Sequence, residues 1–181
     1  MGVDKAGVAF GGRLLWEHQI ETLRSTQPAE LFISGRAEAA YVESGIEIIY
    51  DEAPKLGPLS GLVAGLRRCH SRWLLVLAID LPRMPGEFLT RLAAKTGESG
   101  TGIVPSDGQR FHPLAAIYSR ECLPLAEEAL RSEDRSLQRF VLRAVKARLL
   151  TPFEILATEM SWFENVNTPE DLRRVENSES N

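Results

Sequence analysis

The sequence predicts an α/β fold in which a mostly parallel central sheet lies between two layers of helices. Helix-like and strand-like segments alternate along the 181 residues with short connections, an order typical of three-layer α/β/α domains. The run WLLVLAI at 73–79 is continuously apolar, as expected of a strand that helices cover on both faces. We place a single domain at 1–176 and a C-terminal tail at 177–181, within the polar stretch ENSESN.

The first half of the chain contains two predicted helices and two predicted strands. A helix over 13–24 is indicated by apolar residues at helical spacing: Trp16, Ile20 and Leu23. Two short apolar segments predict strands, ELFIS (30–34) and IEIIY (46–50). Pro58 suits the first turn of a helix, and an apolar stripe follows it: Leu59, Leu62, Val63 and Leu66.

The second half continues the alternation after the central run. Strands are predicted at 101–106, 110–118 and 147–152. Helices are predicted from Pro85 to about Lys95, over 119–131, over 135–144 and from Thr168. Thr168 is expected to cap the last helix, with Pro169 at its first position and two acidic residues in its first turn, Glu170 and Asp171.

Composition excludes several classes of protein. The formal net charge is -4 and the isoelectric point is near 5.5, which gives no support for nucleic acid as the main partner. Cys69 and Cys122 stand alone without zinc-ligand spacing, so a reduced, cytoplasmic chain is expected. The longest apolar run is too short to span a bilayer and no basic-then-apolar leader is present, so neither membrane insertion nor secretion is expected.

The residues that follow the strands carry the functional information, because ligands of open α/β sheets bind beyond the carboxyl ends of the strands. Asp80 follows seven apolar residues, where the central strand is expected to end. A carboxylate there could bind Mg²⁺ together with substrate phosphates, or it could merely cap a turn before Pro82. Asp51 closes the preceding strand. Small residues near the next helix start could leave room for an anion at its N–H groups, or could simply pack on a strand: Gly57, Ser60 and Gly61.

Three further stretches can each be explained without a functional role when taken alone. Lys5, beside Asp4, is by itself a surface lysine near a terminus. Asn165 and Asn167, within NVNTPEDL, could hydrogen-bond a heterocycle or a phosphate, or could serve a turn before a helix cap. His112, followed by Pro113, is a lone histidine, which is more often structural than catalytic. No Ser/His/Asp or Cys/His set indicates a nucleophile, and no G-x-G-x-x-G follows a strand.

Taken together and in order, these stretches resemble the MobA family, the molybdenum cofactor guanylyltransferases among the wider MobA-like nucleotidyltransferases. The family opens with G-G-x-S-x-R and then M-G-x-D-K, and residues 1–6 match the second part. The resemblance covers essentially the whole chain and continues through Gly12, Trp16, GPLSG, Asp80 with Leu-Pro after it, His112-Pro113 and NVNTPEDL.

The resemblance implies a Rossmann-like nucleotidyltransferase domain that uses GTP and molybdopterin cofactor to form the guanine dinucleotide and pyrophosphate. It implies that Lys5 contacts the nucleotide phosphates, that Asp51 lies in the GTP pocket and that Asp80 holds Mg²⁺ and the nucleotide. Asn165 and Asn167 would lie on the pterin side. The pterin phosphate would attack the α-phosphorus in line, with no covalent enzyme intermediate. Neither nucleic acid nor a membrane is expected as a partner. Transient contact with other cofactor-biosynthesis proteins or with acceptor proteins is expected.

The chain departs from the family pattern at three places. It opens inside the motif, so we expect the first strand and the Gly-rich loop to be absent, through a start codon assigned too far downstream, a shortened chain or a genuine loss. Such a chain should be less stable than one with that strand. Leu14 stands where the family usually has Pro, and Ile33-Ser34 where it often has Asn. Two alternatives stay open: a cytidylyltransferase that uses CTP, and a catalytically inactive binding module.

Overall fold

Helices and strands alternate along the chain, whose structure is a computed structural model that describes residues 5–35, 39–50 and 57–179. The strands within these ranges are β1 (Ala9–Phe10), β2 (Arg13–Leu14), β3 (Phe32–Gly35), β4 (Glu47–Tyr50), β5 (Trp73–Leu77), β6 (Gly102–Ser106), β7 (Ala115–Ser119) and β8 (Leu150–Glu154). The α-helices are α1 (Leu15–Ser25), α2 (Pro58–Arg68), α3 (Gly86–Ser99), α4 (Leu123–Arg131), α5 (Leu137–Lys146) and α6 (Pro169–Glu179). Short 3₁₀ turns include Lys5–Gly7 and Ala157–Phe163.

The largest sheet has the strand order β5-β7-β6-β8. β7 is antiparallel to both of its neighbours, β5 and β6, whereas β6 and β8 are parallel. β5, β6 and β8 therefore run in one direction, and β7 runs against them. The prediction of an α/β domain with a mostly parallel central sheet is confirmed.

A second, parallel pair of strands, β3 and β4, packs on the same helix as the large sheet. At Gly65 of α2 the site of a Cβ would lie 3.1 Å from the Leu74 side chain of β5 and 3.7 Å from the Phe32 ring of β3. Within the described residues, β3 pairs only with β4 and β5 only with β7. α2 thus joins two strand groups that do not hydrogen-bond to each other.

Apolar residues fill both faces of the four-stranded sheet. On one face the stripe of α2 that the sequence predicts is buried against α4 and α5, with Leu59, Leu62, Val63 and Leu66 all at most 4% exposed. On the other face α3 packs with the residues that follow β8, around Phe88 and Phe163. A third cluster joins Leu15 of α1 to Val166 and α6. This last cluster brings residues 8–15 and 166–175 close to Ile79, just beyond the end of β5.

Several predicted boundaries are corrected by the structure. The strand predicted at 110–118 begins only at Ala115, because Pro113 has no N–H to give to a sheet and the Ala115 N–H turns back onto the His112 carbonyl. The helix predicted over 119–131 begins as a 3₁₀ turn, Arg120–Cys122. α3 runs on past Lys95 to Ser99, and Gly100, which has a φ of +70°, ends the helix.

Two smaller expectations meet the structure near the end of the chain. The Thr168 side chain accepts the Asp171 N–H, so the predicted cap of α6 is confirmed. α6 continues to Glu179, past the predicted start of the tail at residue 177.

Cys69 and Cys122 are buried and form no disulfide. None of the helices in the described part of the chain is long and apolar enough to cross a membrane.

Candidate active site

Asp80 lies in a tight turn three residues beyond the end of β5, where the sequence analysis expected the strand to finish. The turn is tied to two other segments by backbone hydrogen bonds. The Ala78 N–H donates to the Leu114 carbonyl at 2.8 Å, and the Val166 N–H donates to the Asp80 carbonyl at 2.9 Å. Asp80 is half-buried. The carboxylate is therefore held at the carboxyl end of the sheet, beside the NVN segment.

α1 supports the same turn through two side chains. Gln19, which is 5% exposed, donates its amide hydrogens to the Ala78 carbonyl at 2.9 Å and to the Leu81 carbonyl at 2.8 Å. His18 Nε2 lies 2.7 Å from the Pro82 carbonyl. Gln19 thus reaches the backbone on both sides of Asp80 and His18 reaches it on one side, so α1 restricts the turn that carries the carboxylate.

The turn at 111–114, between β6 and β7, is held at each of its first three residues. Gln138 of α5 accepts the Phe111 N–H at 3.1 Å and donates to the Phe111 carbonyl at 2.7 Å. The fully buried Tyr118 donates its hydroxyl to the Pro113 carbonyl at 2.7 Å. The His112 N–H donates to the Pro105 carbonyl at 2.8 Å. The position of His112 is thus set by its backbone.

These turns enclose a cavity of about 540 Å³. Asp80, His112 and Asn165 all line it, so the structure brings together three residues that the sequence analysis singled out. The remaining wall is partly apolar, with Phe111, Met160 and Phe163, and partly polar, with Arg110 and Glu164. Small-molecule sites are typically lined by apolar surfaces with a few polar groups, and this cavity has an acidic group, a histidine and an amide among flat apolar side chains.

The two titratable neighbours at this wall have shifted pKa values. Backbone N–H groups of Arg110 and Gln109 lower the pKa of Asp107 from 3.8 to about 2. Burial lowers the pKa of His112, against the opposing effect of Asp107. At neutral pH the carboxylate is therefore charged and the imidazole neutral.

The other predicted site residues lie outside this cavity or outside the described residues. Asp51 falls outside the described residues, and of Lys5 only the backbone, in the turn Lys5–Gly7, is described. Asn167 does not line the cavity, and its N–H donates to Asp171. Gly57, with a φ of +75°, precedes α2 as the sequence suggested. The roles of these residues stay predictions.

Two carboxylates in the described residues line the cavity, Asp80 and Glu164, and Asp80 is the one that follows β5. No group of three or more His, Cys, Asp or Glu side chains clusters in the described part of the chain. Mg²⁺ is commonly held by one or two carboxylates together with substrate phosphates and waters. Asp80 fits such a site, in which most of the ligands come from the nucleotide and water.

Sequence reasoning missed several residues that shape this site. Gln19 and Gln138 occupy ordinary polar positions in helical patterns, and only the fold shows that each clamps a turn. Phe163 and Glu164 directly precede Asn165, so their position in the sequence was the available signal. Asp107 precedes a glycine. This indicates a turn, but it gives no sign that the Asp107 carboxylate lies next to His112.

Comparison with known proteins places this geometry in a family. Residues 1–148 match the MobA-like NTP transferase domain. The chain is 34% identical over 177 residues, 96% of its length and 87% of the relative's, to a probable molybdenum cofactor guanylyltransferase from Opitutus terrae. It is 35% identical over 182 residues, 97% of its length and 88% of the relative's, to a molybdenum cofactor guanylyltransferase from Cereibacter sphaeroides.

Solved structures agree with the fold. Molybdopterin-guanine dinucleotide biosynthesis protein A from Archaeoglobus fulgidus superposes with a TM-score of 0.77 at 26% identity, covering 99% of this chain and 92% of that one. A 2-C-methyl-D-erythritol 4-phosphate cytidylyltransferase from Thermus thermophilus has a TM-score of 0.74 at 16% identity, covering 98% and 94%. The second likeness concerns the fold alone.

Proposed function

The chain belongs to the MobA-like NTP transferase family and is an enzyme of the molybdenum cofactor guanylyltransferase group, and from this premise we propose that it transfers GMP from GTP to molybdopterin cofactor and releases pyrophosphate. One observation carries the proposal. Asp80 and Asn165 lie on the wall of one cavity and are joined through the Val166–Asp80 backbone hydrogen bond. The proposed nucleotide side and pterin side of the reaction therefore meet at the carboxyl end of β5.

Asp80 is the residue we propose to hold Mg²⁺ beside the nucleotide phosphates. Its turn is fixed by Gln19, Leu114 and Val166, so the carboxylate meets an incoming ion with little reorganisation. A bound Mg²⁺ would neutralise charge on the phosphates and on the leaving pyrophosphate. Lys5 and Asp51 are proposed to contact the phosphates and the GTP pocket, as the family resemblance implies.

The acceptor is proposed to enter from the side of Asn165. Its terminal phosphate attacks the α-phosphorus of GTP, a new phosphoanhydride bond forms, and the bond to the β-phosphate breaks as pyrophosphate leaves. The protein positions the substrates and neutralises their charge, and no side chain forms a covalent bond to a substrate. Asn165 can both donate and accept hydrogen bonds at the acceptor, while Asp80 and Lys5 handle the charge of the nucleotide.

Calorimetric titration of GTP with and without Mg²⁺, with CTP as the competing nucleotide, tests the proposal. We expect Mg²⁺-dependent binding that is selective for GTP, and formation of the guanine dinucleotide when molybdopterin is added. Selective binding of CTP would favour the cytidylyltransferase alternative. A folded protein that binds neither nucleotide would favour the inactive binding module.

Replacement of the proposed metal ligand gives a second test. Asp80→Asn keeps the shape of the side chain and removes its charge, so we expect loss of turnover with an unchanged melting temperature. Asp134→Asn is the matched control, because Asp134 is 42% exposed and pairs with Arg139 away from the cavity. An Asp80→Asn protein that turns over normally would refute the metal role.

A cytoplasmic location and transient contact with an acceptor protein complete the proposal.

A further inference from the structure

The ring of His112 lines the cavity, and the proposed reaction gives it no role. Its side chain is 10% exposed and lines the cavity that also contains Asp80 and Asn165. Nε2 is buried and makes no hydrogen bond of regular geometry, but the Asp107 carboxylate lies beside it. A buried ring nitrogen needs such a polar neighbour.

The Asp107 carboxylate faces Nε2 of the His112 ring. Asp107 Oδ2 lies 3.4 Å from His112 Nε2, which is close enough for charge attraction but longer than a regular hydrogen bond. Asp107 is itself fixed, because its Oδ1 accepts the Gln109 N–H at 2.9 Å and the Arg110 N–H at 2.8 Å. A carboxylate facing Nε2 favours the tautomer that carries the ring proton there. Nδ1 is then a hydrogen-bond acceptor.

The backbone around His112 cannot easily adjust to a ligand. The neighbours on both sides are clamped, Phe111 by Gln138 and Pro113 by Tyr118, and the His112 N–H and carbonyl are both bonded. The His112 ring, which lines the cavity, is therefore held on a backbone that is already fixed before a ligand binds. Preset groups lose little entropy when a ligand binds.

The surfaces beside the ring suit a flat ligand. The centroid of the Phe163 ring lies 4.4 Å from that of His112. Phe163 is held in turn by an edge-to-face contact with Phe88, at 5.3 Å between centroids. Phe111 and Met160 add apolar area to the same wall. A planar nitrogen heterocycle can pack on such surfaces while its N–H edge meets an acceptor.

We propose that His112 is a specificity-determining residue that accepts a hydrogen bond from the heterocyclic part of the acceptor substrate, and that Asp107 positions its ring. This inference rests on the proposed function for the identity of the acceptor. It concerns the acceptor side alone, so it predicts changes in acceptor binding without changes in nucleotide binding.

Four variants separate this role from a structural one. His112→Leu removes the acceptor, whereas His112→Asn restores an amide oxygen near the place of Nδ1. Asp107→Asn keeps the Oδ1 bonds of the turn but presents an N–H₂ group toward Nε2, which reverses the favoured tautomer. His70→Asn is the matched control, because the His70 side chain is 79% exposed and lies outside the cavity.

The experiment measures the Kd of molybdopterin by fluorescence titration, together with the KM of GTP and the melting temperature. We expect His112→Leu and Asp107→Asn to weaken molybdopterin binding about fivefold to tenfold, the loss of one hydrogen bond. His112→Asn should recover part of this loss, and His70→Asn should bind molybdopterin and GTP like the unmodified chain. The KM of GTP should stay unchanged in all four variants.

Two results would overturn the inference: molybdopterin binding unchanged in His112→Leu, or an equal loss for GTP and molybdopterin. If His112→Leu does not fold, Asp107→Asn and His112→Asn decide by the same criteria. Failure of the proposed function looks different. In that case the unmodified chain binds molybdopterin with the predicted dependence on His112 but forms no guanine dinucleotide from GTP.

Discussion

Replacement of Gln19 by methionine tests whether α1 positions the turn that carries Asp80. Methionine has nearly the length and volume of glutamine but cannot donate a hydrogen bond, so Gln19→Met removes the bonds to the Ala78 and Leu81 carbonyls. Both carbonyls keep a second donor, the Leu81 N–H at 3.4 Å and the Met84 N–H at 3.2 Å. The turn should therefore persist but become less rigid.

The expected loss of stability follows from this bonding. Two hydrogen bonds whose acceptors keep another partner contribute about 1–2 kcal/mol together. Gln19 Oε1 is buried without a partner, and its removal returns part of that amount. A net loss of about 1 kcal/mol remains, which lowers the melting temperature of a chain of this size by about 2–4 °C.

The assay follows the Mg²⁺ dependence of guanylyl transfer alongside thermal melting. A less rigid Asp80 turn should raise the Mg²⁺ concentration needed for half-maximal turnover by up to about tenfold, the equivalent of about 1.4 kcal/mol. Glu21→Met, at an exposed position of the same helix, should change neither property. A lower melting temperature with an unchanged Mg²⁺ dependence would refute a positioning role for Gln19.

Three further predictions follow from the structure. Removal of divalent cations with EDTA should abolish GTP binding at the Asp80 site, and excess Mg²⁺ should restore it, as calorimetry can show. Hydrogen bonds from His70 and Ser71 lower the pKa of Glu30 from 4.5 to about 2. The stability they contribute is therefore present above pH 4.5 and lost as the pH falls toward 2, so melting of Glu30→Gln should depend less on pH in this window. Extension of the chain by an N-terminal strand and a G-G-x-S-x-R loop should raise the melting temperature, because within the described residues β3 and β5 each pair on one side only. Equal melting temperatures would contradict that expectation.

The helices and strands were largely predictable because their apolar patterns are regular. The stripe of α2 recurs at helical spacing and is buried as a whole. The end of β5 was less predictable, since WLLVLAI stays apolar beyond Leu77, where the backbone already turns. Ile79 is apolar for another reason, because it packs with the cluster around Leu15. A continuous apolar run thus shows that a segment is buried, but not where its strand ends.

The site was predictable where a general rule or a family motif applies. The rule that ligands bind at the carboxyl ends of strands led to Asp80, whereas Asn165 was singled out by its motif and by the family resemblance. Gln19 and Gln138 followed no such rule. Their amides act on backbone groups of distant turns, and nothing in a local pattern distinguishes such a glutamine from one that faces water.

The two sides of the proposed reaction depend on the fold in different ways. On the acceptor side, the turn at 111–114 is held by partly buried hydrogen bonds from α5 and β7. The Asp80 turn is instead held from α1, from the residue before β7 and from the NVN segment. Transfer of a nucleotidyl group depends mainly on the relative position of attacking phosphate, metal and leaving group. The Ala78–Leu114 backbone hydrogen bond joins the Asp80 turn to the turn at 111–114. A disturbance of either turn should therefore displace the reacting atoms and lower turnover more than ground-state binding.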